Sequence, residues 1–224
     1  MTDTAPKPWP VMSIAEAHAR LTAPGERFEL DQAVIEGVPT KVWKNAPPTL
    51  RDVLLNGRAF GSREFLVYED DRASFEAFTR AAVTLAHRLQ ADGVGKGDRV
   101  AVVMRNLPEW PVAFFAAAII GAIVTPLNAW WTGPELEFGL ADSAAKVALV
   151  DDERLERILA HLDACPALAR IYVARAADLP DDPRLAALES VIGPVNGWKD
   201  LDDQPLPAVF FFNDTATTEI YTSG

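Results

Sequence analysis

From Arg99 onward the chain repeats one unit: a short apolar run rich in Val and Ile, a helix-like stretch, then another apolar run. The runs are 99–104 (RVAVVM), 122–127 (AIVTPL), 146–150 (KVALV) and 170–175 (RIYVAR), about two dozen residues apart. Runs without strict alternation suit strands covered on both faces, and the stretches between them are long enough for the helical crossovers that parallel strands require. The rhythm predicts an α/β fold, a doubly wound parallel sheet with flanking helices.

Caps and apolar spacing place the helices. One starts near Pro108 and Glu109 and stops at Gly121; Pro134 opens a second, PELEFGLADS. Asp151 or Asp152 starts a third, ERLERILAHLDAC, with Leu155, Ile158, Leu159 and Leu162 on one face and Pro166 at its end. Upstream, Ser74 caps SFEAFTRAAVTLAHRLQAD, where Phe75, Phe78, Ala82, Leu85 and Leu89 make an apolar stripe and Gly93 supplies the left-handed end.

Residues 1–48 read as a lead-in, 49–209 as the α/β domain and 210–224 as a tail. Ser13 and Glu16 make a capping box for a short helix, Asn45 to Pro48 is a break, Thr49 caps LRDVLLNGRAF, and EFLVYED is a strand. Beyond Arg175, residues 179–183 and 193–207 read as loop around a short helix near 184–191.

Charge and composition narrow the function. With 21 Lys and Arg against 32 Asp and Glu, the net charge of -11 argues against nucleic acid, whose binders need a basic face. The single cysteine, Cys165, excludes an internal disulfide framework and a Cys-rich zinc site; with no export signal at the N-terminus, a cytoplasmic protein is expected. The uncharged stretch Trp110 to Pro134 carries tryptophans at both ends, but Pro111, Gly121, Pro126 and Gly133 divide it into pieces too short for a span of roughly 30 Å. A buried helix and strand, with no integral membrane span, is the better reading.

Local motifs assign no catalytic residue and no metal ligand. GVGKGDRV (93–100) has the glycines and lysine of a phosphate loop, but a helix precedes it and a strand follows, the reverse of a Walker loop, so it reads as a tight turn. His18, His87 and His161 lie far apart on predicted helices without ligand spacing and read as solvated positions. Cys165 reads as a packing residue, and Asp70/Asp71, Asp151/Asp152 and Asp202/Asp203 as solubilising caps and turns. At the end, Tyr221-Thr222-Ser223-Gly224 can begin a loop whose hydroxyls and amides hold phosphate oxygens.

Three stretches together resemble the adenylate-forming superfamily of acyl-CoA synthetases, luciferases and adenylation domains: SFEAFTRAAVTLAHRLQADGVGKGDRVAVVMRNLPEW, AFFAAAIIGAIVTPLNAWWTGPELEFGLADSAAKVALVDDE, and YTSG. Residues 21–45 are more similar to the fatty-acyl-CoA ligase branch. The resemblance implies an enzyme that joins a carboxylic acid, such as a fatty acid, to ATP as an acyl-adenylate with release of pyrophosphate, then transfers the acyl group to CoA. ATP, Mg and CoA are the implied cofactors, and Thr222, Ser223 and Gly224 the implied start of the triphosphate loop. The rest of that loop and the family's later motifs are not in this sequence, so the chain is expected to be an N-terminal fragment with an incomplete sheet, inactive alone. Aryl or amino acid adenylation and a non-catalytic α/β binding module are the alternatives, and the oligomeric state is left open. The approach to YTSG is FFFNDTATTEIYTSG, with Glu219 where a buried strand should be apolar. NDTATTEIYT also resembles the translation of a sequencing-library adapter, AAT GAT ACG GCG ACC ACC GAG ATC TAC AC, which makes 210–222 a foreign insertion.

Overall fold

A computed structural model describes residues 11–209. Of these, residues 11–48 form one compact unit and residues 49–209 another. The first holds helix α1 (Ile14–Leu21) and an antiparallel hairpin, β1 (Leu30–Ile35) and β2 (Val38–Trp43). Ser13 accepts from the Glu16 N–H at 3.2 Å, which is half of the expected capping box; the return bond from Glu16 is not made among the described residues. The hairpin was not expected from the sequence. Its turn is Glu36-Gly37, with φ of 48° and 80°, the two positive values that a two-residue turn needs to match strand twist.

The second unit opens with α2 (Leu50–Arg58), whose Thr49 and Asp52 close a full capping box. A hairpin follows, β3 (Glu64–Tyr68) and β4 (Asp71–Ser74), then α3 (Phe75–Ala91), capped by Ser74. Five parallel strands make the main sheet: β5 (Arg99–Val103), β6 (Ile123–Pro126), β7 (Val147–Asp151), β8 (Arg170–Ala174) and β9 (Leu185–Ala187), in the order β6-β5-β7-β8-β9. Between them lie α4 (Glu109–Ile119), α5 (Gly133–Ser143) and α6 (Asp152–Ile158), the last continued by a 3-10 turn at Leu159–Ala164. After β9 come α7 (Glu189–Ile192) and a 3-10 turn at Val195–Asp200.

The strands explain why their sequences do not alternate. Val100, Val102, Val147, Leu149, Tyr172 and Ala174 pack in one core with α3 and α4. Ala101, Val103, Ala148, Val150, Ile171 and Val173 pack in a second core with α5 and α6. Both faces are buried, so the central strands are apolar except at their ends, where Arg99, Asp151 and Arg170 stand. Each fully buried Val, Leu or Ile contributes about 1.5–3 kcal/mol relative to exposure, so each face is held by many such terms.

Two helical expectations change in detail. The third crossover helix tightens into a 3-10 turn after Ile158, although Leu155, Ile158 and Leu162 are buried on one face as the spacing required. The short helix expected near 184–191 begins only at Glu189. Residues 185–187 are instead drawn into the sheet, where Ile171 N–H donates to the Arg184 carbonyl at 2.8 Å and β9 pairs with β8. An open sheet edge offering backbone partners outweighs the modest helix preference of Leu and Ala. Gly93 and Gly121 take φ of 83° and 77° at the ends of α3 and α4, as their positions required.

Candidate functional site: an open cleft at the carboxyl edge of the sheet

The chain leaves β5 through α4 for β6 on one side, then returns through α5 across β5 to β7 on the other. The helices after β5 and β7 therefore lie on opposite faces of the sheet. Open α/β sheets bind ligands in the crevice at such a switch point.

An open cleft of about 580 Å³ lies beside that point, at the carboxyl ends of β5 and β6, within the 300–1,000 Å³ typical of small-molecule sites. Tyr68, Asn106, Trp110, Asn128 and Trp130 line it, with Arg105 at its wall. Adjoining lobes of about 290 and 250 Å³ share Tyr68 and Leu107 with it; the second reaches Asp151, Arg154 and Arg175.

Two loops carry most of these groups, and neighbouring elements hold both. The β5–α4 loop is tied down where the Arg105 N–H donates to Asp151 Oδ2 at 3.0 Å. The β6–α5 loop is tied down by two guanidinium groups: Arg154 Nε donates to the Ala129 carbonyl at 2.7 Å, and Arg157 Nη1 donates to the Ala129 and Trp131 carbonyls at 3.2 and 3.1 Å. Asn128 Oδ1 accepts from the Trp130 N–H at 2.9 Å and turns the loop tip outward. Trp130 stays 72% exposed, its ring centroid 5.4 Å from the buried Arg154 guanidinium.

Arg154 is fully buried and also meets Asp151 at 3.3 Å and Glu153 at 2.8 Å. Its Nη2 makes no hydrogen bond among the described residues. The Arg105 side chain is exposed and unpaired among those residues, so it is available to an anion. An aromatic wall with such a guanidinium can take a planar ring bearing negative charge.

Behind the cleft, Arg175 meets Glu109 at 3.0 Å and Asp71 at 2.7 Å, and its guanidinium carbon stands 5.0 Å from the Tyr68 ring centroid. Burial raises the Glu109 pKa above the usual carboxylate value, with Arg175 opposing it.

The residues picked from local motifs fall mostly elsewhere. Thr222, Ser223 and Gly224 lie outside the described residues, as does the 210–222 segment. GVGKGDRV forms a helix-to-strand turn, where Asp98 Oδ2 accepts from the Gly95 N–H and from Lys146 Nζ. His18 is exposed on α1, whereas His87 meets the Pro205 carbonyl at 2.9 Å and His161 meets Glu137 at 2.5 Å, so these two are anchored rather than simply solvated. Cys165 is buried, and desolvation followed by the Glu137 charge raises its pKa, as suits a packing residue. Asp151 and Asp71 are structural ties rather than solubilising charges: Asp151 caps α6 from a 7% exposed position, and Asp71 holds Arg175. Among the described residues no cluster of three or more His, Cys, Asp or Glu could hold a metal, and no helix is long and apolar enough to cross a membrane.

Tyr68, Arg105, Trp130, Arg154 and Arg175 escaped the motif reading. Four of them follow an apolar run or its loop directly, and the end of a parallel strand was the available signal.

Fold and cleft together define an α/β domain of the ligand-binding, doubly wound kind. The chain belongs to the AMP-binding enzyme family, whose model matches residues 55–224. Over 80 residues it is 39% identical to the long-chain-fatty-acid–CoA ligase FadD13 of Mycobacterium tuberculosis, a match covering 36% of this chain and 16% of that protein. Over 91 residues it is 37% identical to 4-coumarate–CoA ligase 2 of Oryza sativa, covering 38% and 16%. The structure of the anthranilate CoA ligase AuaEII in complex with anthranoyl-AMP matches with a TM-score of 0.63 at 23% identity, over 73% of this chain and 30% of that one, a likeness of fold.

Proposed function

We propose that the chain is the N-terminal portion of an ATP-dependent acid–thiol ligase, an acyl-CoA synthetase acting in the cytoplasm. The observation that carries this reading is the family match over 55–224, which includes every strand of the parallel sheet and every wall of the cleft. In the proposed reaction a carboxylate oxygen bonds to the α-phosphorus of ATP and pyrophosphate leaves; the CoA sulfur then bonds to the acyl carbon and AMP leaves. Mg would offset phosphate charge. Residues 49–209 supply the first part of the AMP-binding domain, and Thr222, Ser223 and Gly224 open the loop for the triphosphate. The cleft fits a nucleotide substrate through Tyr68, Trp130 and the unpaired Arg105. A fatty acid is the preferred carboxylic acid, in keeping with the long-chain-fatty-acid–CoA ligases among the relatives.

The test begins by sequencing a fresh amplicon across codons 200–224 and at least a hundred codons beyond. The enzyme read from that frame is then assayed for pyrophosphate release with ATP, Mg and CoA, against fatty, aryl and amino acids. Fatty-acid-dependent release with CoA-thioester formation is expected. Release with only aryl or amino acids would change the substrate class, and acid-independent or absent release would refute the ligase reading.

A further inference from the structure

Arg175 stands at the carboxyl end of β8 in a left-handed backbone conformation, φ 58°, which a non-glycine residue keeps only when its surroundings fix it. Four elements do so. Its N–H donates to Glu189 Oε1 at 2.7 Å, on α7. Nε and Nη2 donate to the two oxygens of Glu109 at 3.0 and 3.3 Å, on the first turn of α4. Nη2 also donates to Asp71 Oδ2 at 2.7 Å on β4, and the guanidinium lies over Tyr68 at the end of β3.

Glu109 is only 4% exposed, so its carboxylate depends on that guanidinium for compensation. Glu109 begins the helix that follows directly from the loop bearing Arg105, Asn106 and Leu107, and Tyr68 and Leu107 are common to the cleft and both its lobes. One side chain thus links the Tyr68 wall to the base of the Arg105 loop, adding to the Asp151 bond on the loop and the Asn196 bonds on the hairpin. Neither would hold its place by local structure alone: the β3–β4 hairpin has two strands, and Pro108, preceding α4, makes no side-chain cap bond.

We propose that Arg175 is the positioning residue of the cleft, holding Tyr68 and the β5–α4 loop in the arrangement that receives a nucleotide substrate. The proposal rests on the ligase reading for its substrate but not for its geometry. Lysine can keep a charge over the ring yet cannot bridge Glu109 and Asp71 with a planar fork.

The test compares Arg175→Met, Arg175→Lys, Tyr68→Ala and the Arg175→Met/Tyr68→Ala pair in the full-length enzyme, with KM for ATP, CoA and acid measured separately. Arg175→Met should raise KM for one nucleotide substrate roughly tenfold, more than any fall in kcat. Arg175→Lys should recover part of the loss, and the double variant should lose less than the two single losses combined for that substrate, because the Tyr68 part of the loss is shared. Amide exchange in the 224-residue chain should speed up at 66–71 and 104–110 in Arg175→Met while α3 stays protected. A lowered unfolding midpoint with every KM within twofold would mean a purely structural role and overturn the proposal, as would unchanged exchange at both segments. An inactive parent enzyme would remove the ligase reading, and the exchange comparison would still decide whether Arg175 positions the cleft.

Discussion

Replacing Gly133 by alanine sets two effects of known sign against each other. Gly133 is the first residue of α5 and its φ is not in the left-handed region, so propensity alone favours alanine, by at most about 1 kcal/mol. Packing opposes it. A Cβ there would stand 2.4 Å from His161 Nε2 and 2.7 Å from the Arg157 carbonyl oxygen. The imidazole can swing aside at the cost of its contact with Glu137, worth about 0.5–1.5 kcal/mol. The Arg157 carbonyl is backbone and can yield only if α5 and α6 separate by several tenths of an ångström, an overpacking cost of about 1–3 kcal/mol. Packing wins, for a net loss of about 0.5–4.5 kcal/mol, or roughly 1–18 °C in Tm for a domain of this size. Gly57→Ala is the matched control: its Cβ would meet only the Phe75 ring, at 3.6 Å, so helix preference decides and stability should rise by up to about 1 kcal/mol. Urea unfolding followed by tryptophan fluorescence reads both. A Gly133→Ala chain at least as stable as its parent would refute the packing argument.

Arg154→Met should cost about 2–4 kcal/mol in urea unfolding, below the full price of breaking a buried pair because Asp151 keeps the Arg105 and Arg154 N–H groups and Ala129 keeps Arg157; a loss under about 0.5 kcal/mol would contradict it. Burial, aided by the hydrogen bond to Asp92, pushes the Tyr172 pKa up to about 12 from the ordinary 10. The protonated phenol is thus the form that folding favours, and its contribution is intact below pH 10 and lost as pH rises to about 12. Tyr172→Phe should flatten stability across that window; an unchanged slope would show that Tyr172 is not its source. No described residue pairs with the outer edge of β6, where Ile123 is 54% exposed, so the 224-residue chain should self-associate. Monodisperse monomer by light scattering would count against this.

The parallel sheet was legible because its strands are buried on both faces, and that burial writes unbroken Val-rich runs into the sequence at crossover spacing. Local caps were legible for the same kind of reason: Thr49, Ser74 and Asp151 each satisfy an N–H three residues away. The β1–β2 hairpin was missed although Glu36-Gly37 marks its turn, because glutamate is a rare occupant of a left-handed position. β9 was missed because Leu-Ala-Ala carries no strand signal of its own and is recruited by the edge of β8.

The sequence by itself determined the doubly wound class and the order along the chain of β5 to β8 and the helices between them. These rest on periodicity and near-neighbour chemistry, which a linear string records. Tertiary structure alone decided the order of strands across the sheet and therefore that the loops after β5 and β6 meet Tyr68 around the cleft. It also made Arg175 the meeting point of Asp71, 104 residues away, and Glu109, 66 residues away. Such partners leave no spacing to read, because chain separation does not limit contact once crossovers have folded the strands side by side.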